Sequence, residues 1–340
     1  MLKLVLPKGR IQVAVQAALA ECGITLSGAE RTYRPRVNVN GMQVKLLKSQ
    51  NIPPLLALGQ HDCGFAGADW VREQNADVVE LLDLGFDPVR IVAAIPEDQD
   101  WDALRQRPLI AVSEYRRLTT EWLESLGVDF TFVRSYGATE VFPPEDADLV
   151  VDNTATGATL RANRLQIVET VMESTTRFLA NREAMEDPAK REAIENLLVL
   201  LRGVLASRER VLVEMNAPPE ALDTVVGLLP AMKAPTVSKL YRQDGFAVRA
   251  AVPRSAVRTL IPQLLAAGAT DILELPIRKI VPGVPGPGSA VPGPQSAAPE
   301  ATRKGATVRT PEAPTPGATT ASPDTLDGGD VLPPPPTITA

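Results

Sequence analysis

The sequence has one histidine, His61, and two cysteines, Cys22 and Cys63, in 340 residues. A single imidazole cannot supply histidine-rich zinc sites, and it removes support for most Ser-His or Cys-His nucleophile pairs, so His61 is expected to be a surface or loop residue. Two cysteines cannot form a disulfide framework, and a reduced, buried thiol is the expectation for both. Basic runs are also missing. The net charge of −6 is spread along the chain, so neither nucleic acid nor an anionic membrane is an expected partner. Residues 2–6 are apolar, but Lys3, Lys8, Gly9 and Arg10 interrupt them too early for a signal peptide, and no later stretch reaches membrane-spanning length. The protein is expected to be cytoplasmic.

A hydrophobic content of 44% is ample for two or three packed domains. The composition changes abruptly after residue 281. Residues 282–340 hold fourteen of the 31 prolines, with Gly, Ala, Ser and Thr and few large apolar side chains. Such a tail cannot bury enough surface to offset its ordering entropy and is expected to be disordered, a dispensable extension rather than a polyproline docking motif.

The most informative stretch is DLVVDNTATGATL at 148–160. An apolar strand ends in Asp152, and a loop of small residues then leads into a helix starting near Thr159. Ala155, Gly157 and Ala158 add no bulk, Thr154, Thr156 and Thr159 supply hydroxyls, and the helix start offers unpaired N–H groups and the positive end of its dipole. An acid at the strand's carboxyl edge suits the hydroxyls of a ribose, so the segment is compatible with a ribose 5-phosphate site. It is equally compatible with an ordinary strand-turn-helix connection capped by Thr.

Elsewhere short apolar strands alternate with amphipathic helices in the manner of an α/β fold. Strands are expected at 2–6, 62–66, 89–94, 109–112, 130–133 and 165–171, with helices from the 7–10 loop to about 22, near 52–59 and at 118–126, giving two parallel-sheet lobes with a cleft between them. In the 7–10 loop, Lys8 and Arg10 are either phosphate ligands or solvated charges at a helix entrance. DCGFAGAD at 62–69 places Gly64, Gly67 and Asp69 near the mouth of such a cleft. RSYGATEVFPP at 134–144 carries Glu140, which suits a hydrogen bond to a sugar or base and equally a solvated loop position. A long helix follows, with Asp187 as N-cap, Pro188 at N1 and an apolar stripe through Ile194, Leu197, Leu198, Leu201, Val204 and Leu205 that marks core or a subunit interface. The order βαββαβ over 211–276 is ferredoxin-like and holds no evident nucleophile, acid-base pair or metal cluster.

These segments together resemble ATP phosphoribosyltransferase in its long form, over residue 2 to about 281. LPKGR at 6–10, DCGFAGADWVRE at 62–73, GATEVFP at 137–143 and DNTATGATLRANRL at 152–165 match the family's catalytic motifs in order, and four in order are far more specific than one. APPEALDTVVGLLP at 217–230 and AAGATDILELPI at 266–277 resemble its regulatory module.

The resemblance implies a two-lobed, periplasmic-binding-protein-like catalytic region, with lobe I at 1–90 plus 172–207 and lobe II at 91–171. A ferredoxin-like (ACT-like) regulatory domain at 208–281 and the disordered tail complete the chain. It implies condensation of ATP, through adenine N1, with 5-phosphoribosyl 1-diphosphate at the first step of histidine biosynthesis, with Mg²⁺ as cofactor, histidine as inhibitor and dimers assembling to hexamers. On this reading Thr154, Ala155, Thr156, Gly157, Ala158 and Thr159 hold the 5-phosphate, and Asp152 and Glu140 orient the ribose. Lys8 and Arg10 help neutralise the leaving diphosphate, Asp69 shapes the nucleotide side, and Asp223 and Ala269 contact histidine. No protein metal ligand is assigned.

The chain departs from the family pattern at Asn153-Thr154, where a valine-glutamate pair is frequent, and at Lys48 and Asn51, where Arg and Asp are common. The alternatives are a non-catalytic two-lobed binding protein for a phosphorylated small molecule, or a regulatory subunit built on the same fold.

Overall fold

A computed structural model describes residues 1–29, 32–232 and 234–281. The expected disordered tail at 282–340 lies outside the described residues.

Two five-stranded sheets and one four-stranded sheet carry the fold. The first orders its strands Met42–Lys48, Leu2–Lys8, Cys63–Gly67, Thr176–Ala180 and Val79–Asp83. Leu2–Lys8 runs parallel to both of its neighbours, and Thr176–Ala180 is antiparallel to both of its own. The second orders Leu165–Ser174, Val89–Pro96, Leu149–Thr154, Leu109–Ser113 and Phe130–Arg134. Its last three strands are parallel, while Val89–Pro96 runs antiparallel to both strands beside it. The lobes are therefore mixed, not purely parallel as the alternation of strands and helices suggested. The chain enters the second sheet at Val89 and returns to the first at Thr176, and each passage adds strands of reversed direction.

Central strands are buried on both faces, which is why they read as apolar runs instead of alternating ones. In Leu2–Lys8, Leu4 and Leu6 join the core under the long helix, whereas Val5 faces Ile52, Leu56 and Leu179. In Leu149–Thr154, Leu149 and Val151 pack with Tyr115 and Trp122, while Val150 meets Val92 and Leu160 on the other face.

The two passages between the sheets lie side by side. Leu84 N–H donates to the Thr176 carbonyl at 3.0 Å, Thr176 N–H donates to the Phe86 carbonyl at 3.0 Å, and the Thr175 hydroxyl reaches Asp83 at 2.6 Å. Two short adjacent segments of this kind form a hinge-like connection.

The long helix spans Pro188–Arg208, with the Asp187 carboxylate accepting from the amides of Ala189 and Lys190 at 2.9 and 3.2 Å. Ile194, Leu197, Leu198, Leu201 and Val204 are buried in the first lobe's core, so the apolar stripe is core over most of its length. Leu205, at its end, is half-buried.

Arg210–Ala217, Leu222–Leu228, Thr236–Lys239, Phe246–Pro253, Val257–Ala266 and Thr270–Pro276 form the βαββαβ unit. Its antiparallel sheet orders Thr236–Lys239, Phe246–Pro253, Arg210–Ala217, Thr270–Pro276, the ferredoxin-like arrangement. Past this unit the chain turns back onto the long helix. Ile280 N–H donates to the Gly203 carbonyl at 2.9 Å and the Ser207 hydroxyl to the Arg278 carbonyl at 3.0 Å.

His61, expected to be a surface or loop residue, is in a loop and is buried there, 9% exposed. Both cysteines are free and buried. Burial pushes the Cys63 thiol up and the Cys22 thiol to about 11, so neither is a ready nucleophile.

Candidate active site

The Leu149–Thr154 strand delivers Asp152 and Asn153 to the carboxyl edge of the second sheet. Beyond it, Gly157 takes φ 74° and starts a short helix, Ala158–Ala162, one residue before the expected start near Thr159. The Thr154 hydroxyl accepts from Gly157 N–H at 2.8 Å, and the Thr156 hydroxyl from Ala158 N–H at 3.4 Å. Each hydroxyl keeps its own proton free for an anion. Ala155, Thr156, Ala158 and Thr159 are exposed at the rim.

Asp152 is held in place by its neighbour, its Oδ1 accepting from the Asn153 backbone N–H at 2.6 Å and side-chain amide at 3.2 Å. Burial, opposed by the Asn153 amide and the Thr139 hydroxyl and reinforced by the charges of Glu140 and Glu114, raises its carboxyl from 3.8 to about 6. Glu140, in the short helical turn Thr139–Val141, thus lies within electrostatic reach of Asp152.

Asp69 is buried and spoken for. Its Oδ1 accepts from the Ser174 hydroxyl at 2.7 Å and its Oδ2 from the Tyr115 hydroxyl at 2.9 Å. Tyr115 in turn accepts from the Asn153 side-chain amide at 3.2 Å. Desolvation and the Asp69 charge push the phenol's pKa up, so it stays protonated and donates. The chain Asp69, Tyr115, Asn153, Asp152 therefore runs from the first lobe's helix, Ala68–Glu73, to the acid of the second, and Ser174, at the end of Leu165–Ser174, joins it at Asp69. One turn on, Glu73 caps the helix Arg116–Ser125 of the other lobe, accepting from the amides of Arg117 and Leu118 at 3.1 and 3.0 Å.

Arg10, Asp69, Tyr115, Asn153 and Ser174 line one cleft of about 90 Å³. Arg10 pairs with Asp87 at 2.6 Å and its side chain stays 60% exposed, leaving donors for an anion. Lys8 is not in that lining. Its ammonium lies over the Tyr33 ring, 4.1 Å from the centroid.

In the third unit the two regulatory candidates differ in kind. Asp223 is exposed in the first turn of Leu222–Leu228, whereas Ala269 is a 3% exposed core residue. The turn at Gly268 packs against Ala221, since a β-carbon on Gly268 would meet the Ala221 methyl at 3.2 Å. That brings the neighbourhoods of Asp223 and Ala269 to the same end of the unit.

A sequence model of the ATP phosphoribosyltransferase family, HisG, matches residues 48–203, and one of the HisG C-terminal domain matches 207–279. ATP phosphoribosyltransferase of Pelotomaculum thermopropionicum is 41% identical over 287 residues, covering 83% of this chain and 99% of the relative. That of Desulforudis audaxviator is 42% identical over 288 residues, again covering 83% and 99%.

The chain belongs to the ATP phosphoribosyltransferase family.

Its members are pentosyltransferases of the first step of histidine biosynthesis. Among solved structures, an ATP phosphoribosyl transferase (HisG:HisZ) complex from Thermotoga maritima shares the fold at a TM-score of 0.53 and 24% identity, over 59% of this chain and 98% of that one. The fold and family stand together, and the sequence expectation of a two-lobed catalytic region with a ferredoxin-like C-terminal domain is met.

Tyr115, Asn153, Ser174 and Glu73 were missed as site residues. Glu73 closes the quoted motif at 62–73 and Asn153 stands at a departure from the family pattern, whereas Tyr115 and Ser174 fall in no motif.

Proposed function

We propose that the cleft transfers the phosphoribosyl group of 5-phosphoribosyl 1-diphosphate to N1 of the ATP adenine, giving phosphoribosyl-ATP and diphosphate. The observation that carries this is Asp152 at a strand edge, fastened by Asn153 and followed by the Gly157-turned threonine loop, in a chain of this family. The loop from Thr154 to Thr159 takes the 5-phosphate through hydroxyls and rim amides. Asp152, with Glu140 beside it, takes the ribose hydroxyls and faces the positive charge that develops on the ring as the bond from C1 to the diphosphate oxygen lengthens. The bond from N1 to C1 forms, the diphosphate leaves with the electron pair, and no general base is needed for a neutral ring nitrogen. Arg10 offers its guanidinium to the departing diphosphate, and Lys8, whose ammonium lies over Tyr33 outside the cleft lining, would have to swing toward it to add its charge.

Among the described residues no group of three or more His, Cys, Asp or Glu side chains forms a metal cage. Magnesium held mainly by substrate phosphates needs only one or two carboxylates, which Asp152 and Glu140 fit. When bound there, Mg²⁺ neutralises charge on the diphosphate.

A cleft of about 90 Å³ is too small for two nucleotide-sized substrates, since ligand sites usually enclose roughly 300–1,000 Å³. Substrate entry therefore requires the lobes to part about the paired passages near Leu84 and Thr176, and closure excludes water from the reacting diphosphate.

Histidine bound near Asp223 and the Gly268-Ala269 turn would favour a state of weaker substrate affinity. The protein would act in the cytoplasm as a homo-oligomer.

The test is diphosphate release on mixing the protein with ATP, 5-phosphoribosyl 1-diphosphate and Mg²⁺, with and without histidine. Release that depends on both substrates supports the reading. Saturable binding with no release would instead make this a binding protein. Deleting 211–280 should leave no histidine inhibition, and persistent inhibition would place the effector elsewhere.

A further inference from the structure

We propose that a second anion site, for a phosphate-bearing small molecule, lies at the amino-terminal edge of the first sheet, remote from the cleft. A cavity of about 710 Å³ opens there, within the size range of small-molecule sites. Lys3, Arg34, Arg36, Lys45 and His61 line it, with no Asp or Glu in the lining. On a chain of net charge −6, such a concentration of one sign demands a reason. No ion pair among the described residues neutralises any of the four cations. Like charges gathered around one concavity repel, and an anion seated among them removes that cost while gaining charge-assisted hydrogen bonds.

A second, independent feature points the same way. His61 is 9% exposed, and its Nδ1 is buried with no hydrogen-bond partner among the described residues. A buried polar atom left unpaired in a folded protein calls for a missing partner. Burial, followed by the fields of Lys45 and Lys3, lowers the pKa of this imidazole, and Asp62 opposes them. Asp62 itself is committed, accepting from the Lys3 amide at 2.7 Å and pairing with Lys190 at 2.9 Å. Nδ1 itself is enclosed, so its contact with an oxyanion in the cavity requires the imidazole ring to turn toward it. Pro35 and Leu55 add an apolar wall for the organic part of the ligand.

The location separates this cavity from catalysis. Lys3 lies toward the amino end of Leu2–Lys8 and Lys45 at the middle of Met42–Lys48, parallel strands whose carboxyl ends lead to the cleft, and His61 lies just before Cys63–Gly67. The cavity and the cleft share no lining residue.

Because His61 is the only histidine in the chain, its ring Cε1–H nuclear magnetic resonance signal reports the cavity without ambiguity. Titration of the full chain with inorganic phosphate, and then with ribose 5-phosphate, should shift that signal saturably, whereas neutral ribose should not. Arg36→Ala with Lys45→Ala should raise the apparent Kd at least about tenfold, the loss of a charge-assisted contact. Asp152→Asn should leave it unchanged. Lys3→Gln with Arg34→Gln, at two exposed side chains, provides the same test should the first pair fail to fold. A signal that ignores phosphate, that moves equally in the charge variants, or that loses its response in Asp152→Asn would overturn the proposal.

Discussion

Asp152 keeps its charge against opposition. Burial and the neighbouring Glu140 and Glu114 raise its carboxyl from 3.8 to about 6, so at neutral pH the folded state holds an ionised group that the unfolded chain would accommodate more easily. A folded-state pKa above the unfolded one contributes stability that is full below about pH 4 and lost as pH rises through about 6, at most about 3 kcal/mol for a shift of this size. Asp152→Asn is therefore expected to melt at a higher temperature than the parent at pH 8, with the difference shrinking toward pH 4. The same variant should lose at least about 100-fold in kcat/KM, the scale of a preorganised electrostatic contact. In the parent, kcat/KM should fall as pH drops through about 6. A flat profile there, or an active asparagine variant, would remove Asp152 from the mechanism. The sequence singled out this residue because strand, acid and small-residue loop are contiguous. Tyr115 and Ser174 were invisible because their partner Asp69 is 46 and 105 residues away.

At the scale of elements, close approach of strands decides what fits. A β-carbon on Gly64 would come 2.4 Å from Val5 Cγ1 and 2.7 Å from the Val5 carbonyl oxygen, and the latter is backbone that cannot move aside. Gly64→Ala should cost about 1–3 kcal/mol or more through overpacking. Urea unfolding should show a lower midpoint with an unchanged slope, and an unchanged midpoint would mean that the strands can separate without penalty. Gly157 answers a different need, a left-handed turn at φ 74° that redirects the chain from strand to helix. The helix Pro188–Arg208 and the βαββαβ unit were legible because capping residues and apolar periodicity are local. Met42–Lys48, Val79–Asp83 and Thr176–Ala180 were not anticipated. Met42–Lys48 and Val79–Asp83 form the edges of the first sheet and Thr176–Ala180 joins it only after the return passage. Their pairing is non-local and leaves a weak pattern in the chain.

For the whole molecule, two acids of one short helix tie the lobes together. Asp69 receives Tyr115, and Glu73 caps Arg116–Ser125. Tyr115→Phe leaves the buried Asp69 Oδ2 without its donor, at a cost of about 1–3 kcal/mol. It should lower the melting temperature and speed amide hydrogen exchange in the paired passages around Leu84–Phe86 and Thr175-Thr176, where the lobes are joined. Unchanged exchange with a lowered melting temperature would confine Tyr115 to local packing. Among the described residues no helix is long and apolar enough to cross a membrane.

The sequence by itself determined the class of fold, the family and the strand-edge motif, because each rests on residues close together in the chain or on motifs in a set order. Tertiary structure alone decided that the sheets are mixed, that Asp69 is bound up in a network linking the lobes, and that His61 sits buried beside four cations that have no ion-pair partner among the described residues. Those outcomes depend on which distant segments share a sheet edge or a cavity, and burial and charge act through distances in space that the order of residues does not record.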